Sequence, residues 1–527
     1  MLAFPLGWYK IRAMFTWRRQ TLATLFWALV FVARMEAAVH YVNVNATNPS
    51  PAYLAWETAA ATIQDAIDSA LPGDEVVVTN GVYKTGGRAV DGGSTNRIVI
   101  PIPILVRSVN GPAVTLIEGG GSSDMSQPGT ARCARLASGA TLAGFTLTNG
   151  SVWLKFGDPI GAGVSCESVI SIVSNCVITS CASSGFGGGV YSGTLLNCTV
   201  ANCSGSYGGG VAFANLFDSI LLTNTGSAGA GAWGCCLTRC TIVGNSTWGD
   251  SGGGGAASSM LTNCLLLGNY GVGGGGARRC ALNSCTVVSN LAASGGGINN
   301  FSGGEFLWGV TNSIVYYNNS SNPERENYWG DIQWANSCTY PQPDSATNTF
   351  TNAPGFVDLS RGNFRLQRGS PCIDAGGPPD FAGPFDRDGR KRFVNGQIDI
   401  GAFEFDPEVS GEYLQWLYSF GLPTDAASDQ ADPDEDGAPN LSEWLSGTNP
   451  VSSNSVLRLL PIRRIGQMLE LSWLSVPGRT YCLERGLLAL DPEFTTLQSN
   501  IVAGSNLTSV TDTNSVDPRF YRVAVQR

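Results

Sequence analysis

An all-β fold wound as a parallel β-helix is the fold class that this sequence of 527 residues predicts. Three observations predict it: glycine is abundant at 67 residues, charged residues make up only 14% of the chain, and a short motif around Asn-Cys recurs through its middle. The same composition excludes other classes. A content of 43% hydrophobic residues is too high for a disordered chain, and a net charge of −10 is unlike the basic surface of a nucleic-acid-binding protein.

The repeat sets the length of one coil. It begins at Asn175-Cys176-Val177-Ile178, and the steps between equivalent Cys or Ser positions up to Cys285 are 22, 21, 21, 24 and 21 residues. A glycine cluster follows most copies. Helical repeats are longer, and glycine clusters would break their helices, whereas short β-branched strands between Gly and Asn turns fit one turn of a solenoid. We expect each strand to pair with its equivalent in the next coil, about 4.8 Å away.

Equivalent residues of a β-helix stack in columns, and the repeat predicts two of them. The first column is small and buried: Cys176, Cys198, Ser219, Cys240, Cys264, Cys285 and Ser313. The second lies five residues later and becomes an asparagine ladder: Cys181, Cys203, Asn224, Asn245, Asn269, Asn290 and Asn318. We expect free, buried thiols, with disulfides between neighbouring coils as the open alternative. Metal binding is disfavoured because no CxxC motif accompanies the cysteines and His40 is the single histidine.

The N-terminus has the features of a secretory signal peptide over residues 1–38. Arg18 and Arg19 precede an apolar run over residues 22–33, and the small residues Ala37 and Ala38 follow it. This run is too short to span a bilayer, which takes about 20 apolar residues. The segment predicts an exported protein, secreted or attached to the cell surface, with no transmembrane span in the mature chain.

A short amphipathic helix is predicted over residues 59–71, ahead of the clear coils. Pro72-Gly73 ends it, and its apolar residues have helical spacing: Ile63, Ala66, Ile67 and Ala70. Such a helix would cover the open end of the solenoid, where the first coil leaves an unpaired strand edge.

Three segments resemble known protein families. The opening Ala61-Thr62-Ile63-Gln64-Asp65-Ala66-Ile67, followed by Pro72-Gly73-Asp74-Glu75 and Gly81-Val82-Tyr83, resembles right-handed parallel β-helix proteins of the pectate-lyase superfamily. The Asn-Cys-Thr coils resemble the repeats of polymorphic outer-membrane and adhesin-like proteins. The stretch Ser370-Pro371-Cys372-Ile373-Asp374-Ala375-Gly376, with Asp386-Arg387-Asp388-Gly389-Arg390 and Asp399-Ile400-Gly401-Ala402-Phe403-Glu404, resembles the closing module of bacterial surface proteins called choice-of-anchor Q. These resemblances imply a right-handed solenoid on a bacterial cell surface.

The predicted coils carry few groups for acid–base chemistry. Residues 161–320 contain seven charged residues: Glu167, Asp218, Arg239, Asp250, Arg278, Arg279 and Glu305. A β-helix glycosidase needs two or three convergent carboxylates, and no two of these acids share a column in adjacent coils. The sequence therefore predicts no catalytic residue. It favours a non-catalytic adhesin or glycan-binding scaffold, with a purely structural surface protein as an alternative.

Two segments near the end of the coils gather more charges. Residues 324–334 combine carboxylates with aromatic rings of the kind that hold sugars: Glu324, Arg325, Glu326, Tyr328, Trp329, Asp331 and Trp334. The rival hypothesis is a polysaccharide lyase or glycoside hydrolase with its active site in this segment. It predicts that activity depends on Glu326 and Asp331. The alternative is a loop that packs its rings over the end of the solenoid. The acids of residues 374–399 are interpreted as a turn with ion pairs to Arg387 and Arg390.

The most specific chemical motif is an acidic loop at residues 432–443. Acids at positions 1, 3 and 5, Gly437 at position 6 and a glutamate at position 12 match the oxygen ligands of an EF-hand loop. The predicted calcium ligands are Asp432, Asp434, Asp436, the carbonyl of Ala438, Asn440 and Glu443. The loop resembles the single calcium loops of dockerin-like and thrombospondin type 3 segments, although Pro439 removes an N–H and no second loop pairs with it. A solvated acidic turn is the alternative.

The whole chain divides into five predicted segments. Alternating residues such as Leu469-Glu470-Leu471-Ser472-Trp473 predict a C-terminal β-sandwich at 456–527. Ahead of it we expect a signal peptide at 1–38, a capped β-helix at 39–320, a closing module at 321–406 and a helix–calcium loop–helix linker at 407–455. The predicted partner is a polysaccharide or cell-surface glycan, and not a nucleic acid.

Overall fold

The computed structural model describes residues 37–90, 94–120, 131–153, 159–249, 252–301, 309–378, 383–394, 396–406, 411–424, 426–466, 468–486, 494–513 and 520–526. Within these ranges the protein is nearly all β and forms a parallel β-helix, as the sequence predicts. Its α-helices are Ile63–Ser69, Gly411–Ser419 and Asn440–Ser446, and short 3-10 helices lie at Trp56–Thr58, Pro323–Arg325 and Ala426–Asp429. None of the helices in the described ranges is long and apolar enough to cross a membrane.

A complete coil contributes one strand to each of four sheets, numbered in the order in which the chain visits them. Sheet 1 has 13 described strands: Val39–Val42, Glu75–Val78, Leu105–Ser108, Thr141–Ala143, Ile172–Ser174, Thr194–Leu196, Asn215–Phe217, Cys236–Thr238, Met260–Thr262, Ala281–Asn283, Gly309–Thr311, Gln333–Ala335 and Ala346–Thr347. Sheet 2 has 11: Gly81–Tyr83, Thr115–Glu118, Thr146–Thr148, Val177–Thr179, Thr199–Ala201, Ile220–Leu222, Thr241–Val243, Leu265–Leu267, Thr286–Val288, Ile314–Tyr316 and Cys338–Thr339. Strands of both sheets continue beyond residue 320, so the solenoid extends to Thr347.

The other two sheets complete the coil. Sheet 3 has eight described strands: Ser151–Val152, Ala182–Ser183, Ser204–Tyr207, Thr225–Ala228, Ser246–Thr247, Tyr270–Gly273, Leu291–Ser294 and Asn319–Ser320. Sheet 4 has 11: Arg88–Ala89, Thr95–Ile100, Ala131–Leu136, Val164–Cys166, Val190–Tyr191, Val211–Ala212, Ala232–Trp233, Ala256–Ala257, Ala277–Arg278, Ile298–Asn299 and Tyr328–Trp329. Arg88–Ala89 pairs antiparallel to its neighbour, and the later strands of sheet 4 pair in parallel. Most of the signal peptide predicted at 1–38 lies outside the described ranges, which begin at residue 37, and Val39–Val42 opens sheet 1.

The corner between sheets 1 and 2 explains the asparagine of the repeated motif. Its residues have φ between 46° and 53°, in the left-handed region: Asn175, Asn197, Asp218, Arg239, Asn263, Ser284, Asn312 and Asn336. Asn and Asp adopt this conformation more readily than other non-glycine residues. The preference for Asn before the Cys or Ser is therefore a backbone requirement of the corner.

The glycine clusters are required by the close approach of neighbouring chain segments. A Cβ added to Gly209 would overlap the carbonyl oxygen of Thr225, and one added to Gly275 would overlap those of Leu291 and Gly296. A residue with a side chain does not fit where backbone passes this close to backbone. The excess of glycine in the composition follows from this contact, which recurs once per coil.

The thiols are free, as predicted. All fifteen cysteines are unpaired, and fourteen of them are buried. Cys198 Sγ lies 3.3 Å from the carbonyl oxygen of Val173, and Ser219, one coil later in the same column, accepts a 3.1 Å hydrogen bond from the Cys198 N–H. Burial raises the pKa of Cys198 to about 11 and that of Cys235 to about 12, so both thiols are neutral.

The predicted asparagine ladder is confirmed. From Asn224 to Asn318, each side-chain Nδ2 donates to the Oδ1 of the next asparagine at 3.0, 2.9, 2.9 and 2.9 Å. Asn327 continues it, with 3.1 Å between Asn318 Nδ2 and its Oδ1. Each Oδ1 also accepts a backbone N–H of the preceding coil, as from Asn245 N to Asn269 Oδ1 at 3.0 Å. The ladder gives the buried amides partners on both sides.

The helix Ile63–Ser69 covers the start of the solenoid, as predicted. Thr62 caps it by accepting a 3.2 Å hydrogen bond from Asp65 N, in the manner of an N-cap threonine. Ile63, Ala66 and Ile67 are buried in the same apolar core as the strands of the first coils. The helix therefore shields apolar side chains at this end of the solenoid from water.

Residues 354–406 pack along the outer face of sheet 2. The antiparallel strands Phe356–Asp358 and Asn363–Leu366 open this segment. Its buried side chains share one apolar cluster with outward residues of sheet 2: Leu265, Val288, Ile314, Cys338, Phe356, Phe364, Leu366, Cys372, Ile400, Ala402 and Phe403. The Ala402 N–H donates to Thr286 Oγ1 at 3.0 Å. The segment thus covers the side of the solenoid, a contact that the sequence did not predict.

The C-terminal residues form the predicted small β-sandwich. One antiparallel sheet contains Arg463–Ile465, Met468–Leu474 and Leu507–Asp512, and the other contains Thr480–Gly486, Thr495–Val502 and Phe520–Gln526. The two sheets share a buried core of Leu471, Trp473, Tyr481, Leu483, Ile501 and Ala503.

Candidate functional sites

The acidic loop brings three of its predicted ligands together. One carboxylate oxygen from each of Asp432, Asp434 and Asp436 lies within 4.8 Å of the other two. The backbone holds this arrangement, because Gly437 N donates to Asp432 Oδ2 at 2.9 Å and Ala438 N donates to Asp436 Oδ1 at 2.8 Å. Gly437 has a φ of 92°, which turns the chain inside the loop. The loop has the sharp turn that oxygen coordination around one cation needs.

Glu443 supplies a second, independent sign of a cation site. It lies in the helix Asn440–Ser446, its side chain has no exposed surface, and neither of its carboxylate oxygens has a hydrogen-bond partner among the described residues. Asp434 Oδ2 and Asp436 Oδ2 are likewise buried without a partner. Burial, together with the charges of Asp434 and Asp436, raises the pKa of Glu443 to about 7. Buried carboxylate oxygens with no donor are the environment that a bound cation would satisfy.

The two remaining predicted ligands fit less directly. Asn440 is buried, its Nδ2 donates to the Ser428 carbonyl at 2.8 Å, and its Oδ1 is left without a partner. Ala438 follows Gly437 in the loop, and the role of its carbonyl stays a prediction. Oxygen-only donors suit calcium or magnesium.

The helix before the loop differs from that of an EF-hand. Gly411–Ser419 does not lead into the loop, because residues 420–431 and the 3-10 turn Ala426–Asp429 intervene. The two helices meet through aromatic rings, with centroids of Tyr413 and Trp444 6.0 Å apart and those of Trp416 and Trp444 5.6 Å apart. The exiting helix, which carries Glu443, is thereby fixed by packing.

The charged turn of residues 386–390 joins three parts of the molecule. Asp386 Oδ1 accepts the N–H groups of Asp388 and Arg390 at 2.9 and 2.8 Å, which confirms the predicted turn. The ion pairs differ from the prediction: Arg390 pairs with Asp429 at 2.6 Å, next to the acidic loop, and Arg365 pairs with Asp388 at 2.7 Å.

Among the described residues Arg387 forms no ion pair with the acids of its segment. Its Nε donates to Thr241 Oγ1 of sheet 2 at 2.9 Å, which ties the turn to the solenoid. The ion pairs of Arg390 and Arg365 and this hydrogen bond connect the turn to three segments, and they give its charges a structural role.

The aromatic residues of 324–334 separate in the structure. Trp334 is buried in the solenoid core, with Tyr328 packed against it at 5.2 Å between ring centroids. Trp329 lies in the last strand of sheet 4, where the Arg325 guanidinium sits 3.2 Å from its ring centroid. The core position of Trp334 agrees with the packing alternative.

A cleft nevertheless exists beside this segment. It has a volume of about 320 Å³ and is lined by Tyr328, Asp331, Gln333, Trp334 and Asp344, among others. Asp331 belongs to the predicted rival site, whereas Asp344 was not predicted. Burial, with a smaller contribution from the Asp344 charge, raises the pKa of Tyr328. Glu326 is not among the lining residues.

The acids of the described coils are engaged. The described acids of residues 159–249 and 252–301 are Glu167 and Asp218. Asp218 accepts two hydrogen bonds from Arg239 at 2.7 and 2.6 Å, and Glu167 lies 3.5 Å from Arg135. Asp250 and Glu305 lie outside the described residues. The described acids form no convergent pair.

An aromatic cluster on the outside of the solenoid, on and beside sheet 4, was not predicted from the sequence. It consists of Phe186, Tyr207, Phe213 and Trp233, whose ring centroids lie 4.7 to 5.6 Å from at least two others. Tyr207 and Phe213 are 42% and 40% exposed, so part of the cluster faces solvent. A step of 21 residues from Phe186 to Tyr207, about one coil, was the available signal.

No protein-family profile and no curated protein matches the sequence. Among solved structures the chain is similar to pectate lyase Pel9A, with a TM-score of 0.43 and 12% identity over 70% of this chain and 96% of that one. It is also similar to a rhamnogalacturonan lyase, with a TM-score of 0.28 and 12% identity over 62% and 92% of the two chains. A third, described as XylC in complex with xylose, has a TM-score of 0.30 and 10% identity over 90% and 100%. At these low scores, the assignment of a parallel β-helix rests on the strand ladders of this chain itself.

Proposed function

We propose that the protein is an exported, non-catalytic surface protein that binds a glycan on the outside of its β-helix. The observation that carries this proposal is the contrast between its side chains: aromatic rings are exposed on and beside sheet 4, while the described carboxylates of residues 159–301 are paired with arginines. Exposed aromatic rings can pack on the apolar faces of sugars. Paired acids on separate coils are unsuited to the two-carboxylate chemistry of glycoside hydrolysis.

The residue to test is Trp233, which contacts three other rings of the cluster. The experiment is a glycan array probed with the full chain, with Trp233→Ala and with Trp248→Ala. Trp248 is 58% exposed and is not a member of the cluster, so it is the matched control. We expect Trp233→Ala to lose the array signal and Trp248→Ala to keep it. An array without any signal would favour the purely structural alternative.

We further propose that calcium binds in the acidic loop and stiffens the segment between the β-helix and the sandwich. Asp432, Asp434, Asp436 and Glu443 would hold it, with Ala438 and Asn440 as additional oxygen donors. The buried, unpartnered oxygens of Glu443 support this assignment. The ion would neutralise carboxylates that otherwise repel one another.

The proposed surface location draws on two features of the sequence. The charged, apolar and small residues of 1–38 have the order of a signal peptide, and residues 370–404 resemble the choice-of-anchor Q module. Secretion is tested by expressing the full chain in a bacterial host and sequencing the N-terminus of the exported protein. Cleavage after Ala38 is the expected result.

A polysaccharide lyase or glycoside hydrolase is the second candidate, because Asp331 and Asp344 line one cleft with Tyr328. It predicts new reducing ends or unsaturated products from a polysaccharide, and their loss in Asp331→Asn. Glu326→Gln, outside the cleft, would keep such activity. A broad substrate panel without products would exclude this candidate.

A further inference from the structure

One column of residues runs along the outer face of sheet 4. Its strand register places Tyr191, Ala212, Trp233, Ala257, Arg278, Asn299 and Trp329 next to one another in successive coils. Arg278 therefore lies two rungs from Trp233 and two rungs from Trp329. Because rungs are about 4.8 Å apart, each tryptophan lies roughly 10 Å along the axis from the arginine.

Arg278 has no counter-charge among the residues that the structure describes. Its Nε and Nη1 atoms are shielded from solvent, and no acceptor contacts them in the part of the chain that the structure describes. The side chain of the neighbouring Asn299 is engaged elsewhere: its Oδ1 accepts the Phe301 N–H and its Nδ2 donates to the Ser294 carbonyl. Shielding a guanidinium in this way is unfavourable unless an acceptor reaches it.

Arg279 adds a second cation beside the first. It is exposed, occupies the corner that follows Arg278, and has a φ of 50°. Burial and the nearby charge of Arg279 lower the pKa of Arg278. Neither arginine has a carboxylate partner among the described residues, whereas Arg239, on another corner, pairs with Asp218. Two adjacent guanidinium groups can bind a carboxylate or sulfate through several hydrogen bonds.

We propose that this face binds an anionic polysaccharide lying along the solenoid axis. Its carboxylate or sulfate contacts Arg278 and Arg279, and a sugar ring farther along the polysaccharide packs against Tyr207, Phe213 and Trp233 of the aromatic cluster. The rise of an extended polysaccharide is close to the spacing of the rungs, so its repeating groups can follow the column. The inference rests on the proposed glycan-binding function and names its site and the chemical class of its ligand.

The test compares three polymers by calorimetry at low ionic strength: alginate for carboxylate, dextran sulfate for sulfate, and neutral dextran. The proteins are the full chain, Arg278→Gln/Arg279→Gln and a control with the same change of charge, Arg463→Gln/Arg464→Gln. The control arginines are also adjacent and exposed, but they lie in the C-terminal sandwich. Thermal unfolding shows whether each variant is folded.

We expect at least one anionic polymer to bind the unchanged protein. The variant Arg278→Gln/Arg279→Gln should bind that polymer about tenfold or more weakly, because it lacks the charged hydrogen bonds. The polymer that binds identifies the anionic group. The control should bind as the unchanged protein does, and added salt should weaken binding. Equal binding by both double variants, or binding of dextran alone, would overturn this inference and leave glycan binding standing. An absence of binding to these polymers and to every glycan of the array would overturn both.

Discussion

Glu443 is the residue on which the calcium proposal depends most. The twelve-residue spacing identifies it in the sequence, but acidic turns are common on protein surfaces. The structure adds that its carboxylate is buried with no donor among the described residues, and that this burial, with the charges of Asp434 and Asp436, raises its pKa. A bound cation explains both observations, whereas a solvated turn explains neither.

Asp434→Asn is therefore expected to abolish or strongly weaken calcium binding, measured as the heat of titrating calcium into the full chain. Removing one carboxylate from such a site should weaken affinity about tenfold or more. Glu435→Gln is the control, because Glu435 is exposed in the same loop and is not one of the three clustered aspartates. Calcium should also raise the unfolding temperature of the unchanged protein. Absence of heat with the unchanged protein would contradict the proposal.

Glu404 makes a prediction about pH. Its side chain is buried and lies 3.8 Å from that of Arg392. Burial, as the main cause, and the charge of Asp399, as the second, raise the pKa of Glu404 from an ordinary 4.5 to about 9. Between pH 4.5 and pH 9, the Glu404 carboxyl therefore keeps its proton in the folded state and loses it in the unfolded state. Folding then binds protons, so this contribution to stability is present at pH 4 to 5 and is lost as the pH rises towards 9.

Glu404→Gln should remove this contribution to the pH dependence. The amide oxygen of Gln can still accept the Asp399 N–H that Glu404 Oε2 accepts at 3.1 Å. Between pH 5 and pH 9, the unfolding temperature of the variant should fall less than that of the unchanged protein. Glu412→Gln, an exposed acid in the helix Gly411–Ser419, is the control. The same slope in Glu404→Gln and the unchanged protein would show that Glu404 is ionised in the fold.

At the scale of elements, the asparagine ladder should contribute strongly to the stability of the coils. Asn318→Ala would leave the N–H and Nδ2 of Asn290 without the Oδ1 that they contact at 3.0 and 2.9 Å, and the Val287 carbonyl without its donor. A buried group left unpaired costs about 1–3 kcal/mol. The expected result is a lower denaturation midpoint in urea.

The neighbouring Asn319 provides the matched control. It lies in the same coil, and its side chain is exposed, so Asn319→Ala should unfold at nearly the midpoint of the unchanged protein. Equal midpoints for the two variants would show that the ladder has no special role in stability.

The coils were predictable because their causes are local. The corner that Asn197 forms, the space that limits Gly209 to a glycine and the ladder partner of Asn269 all recur once per coil. The cover over sheet 2 was not predictable in this way. It depends on contacts such as Arg387 with Thr241, which are 146 residues apart and follow no period.

At the scale of the whole molecule, the sides of the solenoid differ. Residues 354–406 cover sheet 2 and join the acidic loop through Arg390 and Asp429. On and beside sheet 4, Arg279 and the cluster members Tyr207 and Phe213 are exposed. The sequence could not show this division, because Tyr207 and Trp233 become neighbours through the winding of the coils. It did show the shortage of charges on the coils, which is the basis for proposing a non-catalytic role.

The most direct test of this role measures binding and cleavage in the same sample. The full chain is incubated with the polysaccharide that it binds best, and the polymer is then recovered and sized by gel filtration, with assays for reducing ends and unsaturated products. The account predicts saturable binding that Trp233→Ala removes, with polymer of unchanged length. Shortened polymer, with products that disappear in Asp331→Asn, would contradict it.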